Sequence, residues 1–393
     1  MSRVCNRIGI YGYRVLRIEH QDGLRVHVTP RSQGGVRCSC CGGGRLRSKG
    51  SYRRQARHLD CLGEPTELVV HTRRFTCRDC RRTFVPQLPG LLPGRRSTEP
   101  FREKVYLHHH EGIPASSMAR LYRMGAATVG RIYAQFTGRK ASERIRLECP
   151  MVLGIDEHTL HKGQRFATTF CDLKRHRVFD ISPGRSEAEL ASYLRTLRGR
   201  DKVKVVCIDL SNSYRSMIRR WFPRAAIVAD RFHAIRLVGL HLMRLARQLC
   251  PALGWNRAWL GVLRMRSDRL DPNQKQRLDR LLSEHPALAG IYEIKEKLCA
   301  LLRLKTQSKG ACRRHARSLL ELIAALRQSD LEHACTLGKS LSEWTEEIVR
   351  MWRFTKNNGI TEGFHRKMKL IQRRAYGFRS FSNYRLRVIA QCG

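Results

Sequence analysis

Two Cys-x-x-Cys knuckles, Cys38 with Cys41 and Cys77 with Cys80, stand 35 residues apart and set what the first part of this chain can fold into. A two-residue gap lets both thiolates of one turn face a single tetrahedral zinc, and joining two such turns through the metal supplies folding energy. The surrounding sequence needs that energy. Residues 34–84 are rich in Gly and Arg and poor in large apolar side chains, so this stretch calls for a staple. Gly42 to Gly44 and Arg81-Arg82 favour tight turns beside the knuckles. Cys40, Cys61 and His58 are further potential ligands and rank below the paired knuckles. Four thiolates leave no open position, so the expected zinc is structural. The long interval between the knuckles requires a basic insertion carrying Arg53, Arg54 and Arg57.

The chain has 15 cysteines, an odd number, and residues 1–10 lack the apolar core of a secretory signal. Reduced thiols and metal ligation are therefore expected over a disulfide frame, in a reducing cytoplasm. No run of about 18 apolar residues suggests a membrane span. Lys and Arg number 76 against 33 Asp and Glu, a net charge of +43, which excludes a bland metabolic enzyme. Such a surface binds a polyanion by releasing its condensed counterions, so nucleic acid is the leading partner. At 42% hydrophobic the chain still has material for two or three packed domains.

Residues 1–30 alternate apolar and polar around Gln21 to Gly23 and read as an N-terminal β-hairpin. The zinc-binding module follows at 31–85, then a Pro/Gly-rich linker at 86–97. Residues 98–148 read as three helices, 101–111, 115–122 and 126–136, with Arg123-Met124-Gly125 as the sharp turn and Gly125 in the left-handed conformation. Leu121, Val129 and Ile132 would pin these helices together. In a helix-turn-helix of this kind the third helix enters the major groove through its early residues, here Ala127, Thr128 and Arg131.

After Cys149-Pro150 the pattern becomes strand-rich and then alternates, in the order βββαβαβ, which signals an α/β layer with buried parallel strands. From Phe232 to about Trp352 it is almost wholly helical, with apolar stripes such as Ile235, Val238, Leu242, Leu245 and Leu249, or Leu319, Leu320, Ile323 and Leu326. A last basic helix starts near Thr361 and carries Arg366, Lys367, Lys369, Arg373 and Arg374.

Carboxylates are scarce here, and two of them close apolar strands: Asp156 in Val-Leu-Gly-Ile-Asp and Asp209 in Val-Val-Cys-Ile-Asp. At the carboxyl ends of neighbouring parallel strands such groups converge on a divalent ion, and their hard oxygens suit magnesium or manganese. Glu362, in Thr-Glu-Gly-Phe-His, is the candidate third ligand from a helix. Residue type alone leaves open that either aspartate is a cap or turn residue.

The βββαβαβ order followed by an acidic helix resembles the ribonuclease H-like fold of DDE transposases and retroviral integrases. The motif series is similar to that of the ISL3 family of bacterial insertion-sequence transposases. It runs from the two knuckles and the helix-turn-helix to Gly154-Ile155-Asp156-Glu157, Asp209 with Ser211 and Tyr214, and Ala229-Asp230-Arg231-Phe232-His233. It ends with Asn358, Thr361-Glu362-Gly363, Lys369, Arg373-Arg374-Ala375-Tyr376-Gly377 and Phe378, so the resemblance covers nearly the whole chain.

The resemblance implies an α/β ribonuclease H-like catalytic domain at 149–233 and 356–393, interrupted by an all-helical insertion at 234–355. Asp156, Asp209 and Glu362 become its magnesium-binding (or manganese-binding) catalytic triad, and Asp230 with His233 a supporting D-x-x-H element. The implied activity is binding of terminal inverted repeats, then metal-dependent DNA strand cleavage and strand transfer by a dimer or larger assembly in the bacterial cytoplasm, at the nucleoid. Lys367, Lys369, Arg373 and Arg374 are expected to contact phosphates without reading sequence. Two other readings remain: a catalytically inactive zinc and helix-turn-helix DNA-binding regulator derived from a transposase, and a structure-selective nuclease, which gives the amino-terminal modules no purpose.

Overall fold

The computed structural model describes residues 11–31, 35–145, 147–161, 165–254, 256–354, 359–375, 377–378 and 380–393. The start of the expected hairpin, Asn358 and Tyr376 of the motif series, and the expected boundary at 355/356 lie outside the described residues. The chain forms two compact units, Met1–Arg139 and Lys140–Gly393.

In the first unit β1 (Tyr13–Gln21) and β2 (Gly23–Pro30) form the hairpin that the alternation suggests, closing at Gln21 and Gly23. It is not a module of its own. β2 pairs in parallel with β4 (Glu64–Cys77), β4 pairs with β3 (Leu46–Cys61) and with the short β5 (Thr83–Phe84), and the order is β1-β2-β4-β3. The basic insertion between the knuckles is therefore the β3–β4 ribbon. Tyr13, Val26 and Val28 from the hairpin share one core with Ala56, Leu68 and Val70 from that ribbon, because neither piece has enough apolar surface alone.

The stretch 86–97 is not a free linker, since Leu88 and Leu91 complete the same core. Tyr13 Oη donates to the Pro89 carbonyl at 2.9 Å, and Arg54 Nη2 donates to the carbonyls of Leu92 and Arg95. Two buried leucines outweigh the Pro/Gly composition.

Three helices follow: α1 (Glu99–His110), α2 (Ala115–Leu121) and α3 (Ala126–Ile145), the last running well past Phe136. They enclose Phe101, Val105, Tyr106, Met118, Tyr122, Val129, Ile132, Tyr133 and Phe136, with Leu59 of β3 against them. Val129 and Ile132 pin the helices as expected, but Leu121 is 60% exposed and Met118 and Tyr122 fill its role. The left-handed residue in the turn is Arg123, at φ 45°, and not Gly125. Gly125 instead opens α3, its carbonyl accepting the Thr128 N–H at 2.8 Å.

The second unit has the expected strand and helix order. β6 (Val152–His161), β7 (Arg165–Asp172) and β8 (Arg177–Pro183) form an antiparallel meander; α4 (Glu187–Thr196), β9 (Val205–Ile208), α5 (Asn212–Trp221) and β10 (Ala226–Ala229) follow. The sheet order is β10-β9-β6-β7-β8, with β10, β9 and β6 parallel. A capping box between Ser186 and Glu189 starts α4.

Next come α6 (Arg231–Leu249), α7 (Arg257–Arg264), α8 (Pro272–Glu284), α9 (Pro286–Arg303), α10 (Lys309–Arg327), α11 (Glu332–Glu343) and α12 (Thr345–Arg353). α6 begins before the expected boundary at 233/234. The helical block shares the sheet's core: Leu319, Ile323, Leu337, Trp344, Ile348 and Trp352 cluster with Val206, Ile208 and Ile227. Leu320, expected in the stripe, is exposed. A smaller core forms around Leu260, Leu263, Leu278, Leu281 and Leu288. α13 (Gly359–Arg374) and α14 (Phe381–Cys392) pack Met368, Ile371, Tyr384 and Val388 against Cys171, Ile181 and Cys207. Phe170 and Ile208 belong to the first cluster and Cys171 and Cys207 to the last, so strand alternation places helices on both sheet faces. No helix among the described residues is long and apolar enough to cross a membrane.

Candidate metal and catalytic centre

The parallel register builds the acidic centre. β6 pairs with β9 at Val152/Val205, Leu153/Val206 and Gly154/Cys207, an offset of 53 positions, and the same offset separates Asp156 from Asp209. β9 pairs with β10 from Val205/Ala226 to Ile208/Ala229, an offset of 21, which also separates Asp209 from Asp230. The Asp230 N–H donates to the Ile208 carbonyl at 2.7 Å, so this pairing reaches Asp230 itself. Asp156, Asp209 and Asp230 thus stand at successive places of one cross-strand row, where neighbouring strands run about 4.8 Å apart. β6 continues beside β7 to His161, so Asp156 lies not at the end of its own strand, as the sequence suggested, but where its parallel neighbour stops.

Burial raises Asp156 to about 7, with the Asp209 charge the next cause; the Glu157 N–H, which donates to Asp156 Oδ1 at 2.8 Å, opposes the rise. Burial also raises Asp209, against the nearby His233 ring and with Glu157 and Asp230 adding to the rise. Asp209 Oδ1 is buried and takes no hydrogen bond from the described residues. Asp230 is buried, caps α6 by accepting from the Phe232 N–H at 3.4 Å, and lies 3.7 Å from His233 Nε2. Desolvated neighbouring carboxylates with an orphan oxygen are what a hard divalent cation would satisfy.

Glu362 stands on α13 apart from this row. Its side chain is 45% exposed and accepts from Arg366 Nη2 at 3.1 Å. One turn further on, His365 Nδ1 lies 3.8 Å from Asp156 Oδ2. Among the described residues, the four knuckle thiols are the group of potential ligands that gathers within 4.8 Å, and the three carboxylates are more widely spread.

Sequence reasoning missed His365 and the groups behind it. His365 Nε2 lies 3.0 Å from Thr169 Oγ1, Thr169 Oγ1 lies 3.0 Å from His158 Nδ1, and His158 Nε2 lies 2.9 Å from Tyr384 Oη. Burial pushes His158 down to about 3 and His365 down to about 4, with Lys369 contributing to both. The signal available for His365 was its place three residues after Glu362, on the same helix face.

Beyond Glu362, Lys369, Arg373 and Arg374 are exposed. Lys367 donates to the Gln391 carbonyl at 2.6 Å and so ties α13 to α14. On α3, Ala127 and Arg131 are exposed and Thr128 is half-buried; Arg131 Nη2 donates to Thr128 Oγ1 at 3.0 Å.

The sulfurs of Cys38 and Cys80 are 3.5 Å apart and those of Cys41 and Cys77 are 3.7 Å apart. Backbone N–H groups of Cys41 and Cys40 lower the Cys38 thiol to about 6, which favours the thiolate a metal needs. The knuckles are closed by Gly42 N–H to the Cys38 carbonyl at 3.0 Å and Cys77 N–H to the Arg82 carbonyl at 2.9 Å. A Cβ at Gly43 would lie 2.3 Å from Asp79 Oδ2, a carboxylate held by Arg45, so a side chain there would displace that carboxylate from beside the knuckles. His58 meets Thr98 Oγ1 instead, and Cys40 and Cys61 lie outside the cluster.

A tetrathiol ribbon in one unit and a mixed sheet with a cross-strand aspartate row in the other are consistent with a DDE transposase. Residues 153–388 match the ISL3 model of that class, described as a transposase, and the chain belongs to this family. Residues 35–80 match the zinc-finger of the transposases of IS204, IS1001, IS1096 and IS1165. The transposase for insertion sequence element IS1001 of Bordetella parapertussis is 26% identical over 412 residues, which cover 97% of this chain and 96% of that relative.

Proposed function

We propose that the protein binds the terminal inverted repeats of a bacterial insertion sequence and catalyses divalent-metal-dependent strand cleavage and strand transfer. The observation that carries this is the cross-strand row: the register that pairs β6 with β9 brings Asp156 beside Asp209, and both are desolvated. The meander followed by two parallel strands, with α13 against β6, supports a ribonuclease H-like core. The three-helix segment with exposed Ala127 and Arg131 supports a helix-turn-helix.

Breaking a DNA strand is an in-line displacement at phosphorus. The chemistry supplied by bound magnesium or manganese is activation of the attacking oxygen and stabilisation of the leaving one. Asp156, Asp209 and Glu362 would hold the ions, and none of them would attack DNA itself. Glu362 is held by Arg366 in an exposed i, i+4 pair worth about 0.3–0.5 kcal/mol, so this bond opposes a turn of its side chain towards the row only weakly. Asp230 holds the start of α6 and keeps His233 beside Asp209. Lys369, Arg373 and Arg374, with Lys367, neutralise phosphates, while Ala127, Thr128 and Arg131 read bases. The four cysteines bind a structural zinc, and a dimer or larger assembly pairs the two element ends in the bacterial cytoplasm, at the nucleoid.

The test is strand cleavage and transfer with the element's own ends and Mg²⁺. Asp156→Ala, Asp209→Ala and Glu362→Ala should each abolish both reactions while end binding stays close to wild type. Full strand transfer by any one of them overturns the triad. An inactive regulator would bind ends and cleave nothing even as wild type.

A further inference from the structure

A buried chain of polar groups runs from the carboxyl-terminal helix to Asp156: Tyr384 on α14, His158 on β6, Thr169 on β7 and His365 on α13. Thr169 is fully buried and stands directly opposite Asp156 in the β6–β7 register. The chain has one sensible direction. With a cation bound, Asp156 is an ionised carboxylate that can only accept, so the His365 nitrogen facing it, Nδ1, must then carry the hydrogen. Neutral His365 then accepts at Nε2 from the Thr169 hydroxyl. The Thr169 oxygen accepts the Nδ1–H of His158, and His158 Nε2 accepts the Tyr384 hydroxyl hydrogen. His158, Thr169 and His365 each donate once and accept once, Tyr384 starts the chain as a donor and Asp156 ends it as an acceptor. The opposite direction would turn the His365 lone pair towards the Asp156 carboxylate.

The other Asp156 oxygen is already held by the Glu157 N–H. We propose that His365 is a positioning residue for the metal site, orienting Asp156 Oδ2 from behind, with Thr169, His158 and Tyr384 fixing its ring and tautomer. This rests on the reading of Asp156 as a metal ligand. In this role His365 acts through Asp156 and not on DNA or the reacting atoms. Because it lies one turn after Glu362, the same bonds also fix the helix that carries Glu362. At 3.8 Å the His365–Asp156 contact is longer than a hydrogen bond, and the proposal expects it to tighten when the carboxylate takes a cation.

Outer groups that orient metal ligands typically account for about 10–100-fold in metal affinity. The experiment is Mn²⁺ binding to the full chain without DNA, read from the loss of the free-ion electron paramagnetic resonance signal, with folding checked by circular dichroism. His365→Leu and Thr169→Val should each weaken Mn²⁺ binding about tenfold, while His365→Gln should recover part of the loss and Tyr384→Phe should cost least. The Mg²⁺ concentration for half-maximal cleavage should rise in the same order. Wild-type Mn²⁺ affinity in folded His365→Leu, or in Thr169→Val if the first variant does not fold, overturns the positioning role. Asp156→Ala separates the two failures. If it retains wild-type Mn²⁺ binding, the reading of Asp156 as a ligand falls; if it loses Mn²⁺ while His365→Leu does not, only the role of His365 falls.

Discussion

Arg215 on α5 donates to Glu347 on α12 at 3.0 Å, and its guanidinium lies 3.6 Å from the centre of the Trp344 ring. It also donates to the Glu343 carbonyl at 2.8 Å, so the helix that follows Asp209 is clamped to the end of the helical block. Glu347 is 2% exposed, and its remaining cationic neighbour, Arg219, is solvent-facing at 3.9 Å. Removing one partner of a buried pair strands a charge, which costs about 3–5 kcal/mol. Arg215→Ala should therefore lower the thermal midpoint markedly. Arg215→Met combined with Glu347→Leu should recover most of the loss, since neither charge then needs solvating. A single variant as stable as wild type would show that the clamp carries no energy.

The zinc ribbon makes a separate prediction. Purified protein should contain about one zinc per chain by atomic emission. Cys38→Ser, Cys41→Ser, Cys77→Ser or Cys80→Ser should each remove it, and a strong chelator should do the same. Loss of zinc should loosen the β3–β4 ribbon, because β3 begins just after the first knuckle and β4 ends at Cys77. Proteolysis within 46–77 should then accelerate. Cys40→Ser and Cys61→Ser should leave zinc content unchanged, since both residues lie outside the cluster.

Leu91 and Leu88 test whether the Pro/Gly stretch is structural. Both are buried in the core beneath the first sheet. Truncating a buried leucine typically costs about 2–5 kcal/mol. Leu91→Ala should destabilise the first unit by that amount in thermal denaturation, whereas Leu92→Ala should cost much less, because Leu92 contributes mainly its carbonyl to Arg54. Equal effects would return this segment to the status of a linker.

These outcomes bear on what could be read from residue order. The strands and helices around Asp156 and Asp209 were legible because short buried strands are continuous apolar runs, and Val-Val-Cys-Ile is such a run. The extension of β6 to His161 was not, since antiparallel pairing with β7 sustains it and the local sequence does not announce that partner. Leu88 and Leu91 read as linker because Pro and Gly dominate locally, while their apolar neighbours lie on distant strands. His158 and Tyr384 are 226 positions apart, and no spacing rule joins them. Gly125 was the natural residue for a left-handed turn, but Arg123 took that conformation and Gly125 became the start of α3. Glu362 was found by type and place, yet its Arg366 partner shows that residue type fixes neither its rotamer nor its approach to the aspartates.

The basic face of α13 yields a prediction in which one lysine should behave unlike its neighbours. Each phosphate neutralised by a cation contributes about 0.9 to the slope of log affinity against log salt on duplex DNA. Lys369 and Arg373 are exposed, so Lys369→Ala and Arg373→Ala should each flatten that slope by about one without changing the preference for element ends over other DNA. Lys367 has its ammonium on the Gln391 carbonyl, at the carboxyl-terminal end of α14. Lys367→Ala should leave the slope nearly unchanged and instead weaken the packing of α14 against α13, seen as a lower thermal midpoint. A slope change for Lys367 equal to that for Lys369 would mean that this bond opens when DNA binds. Arg131→Ala is the contrasting case: it should reduce the discrimination between element ends and random duplex, because a base-reading contact is worth about 1–3 kcal/mol of specificity while a phosphate contact carries none.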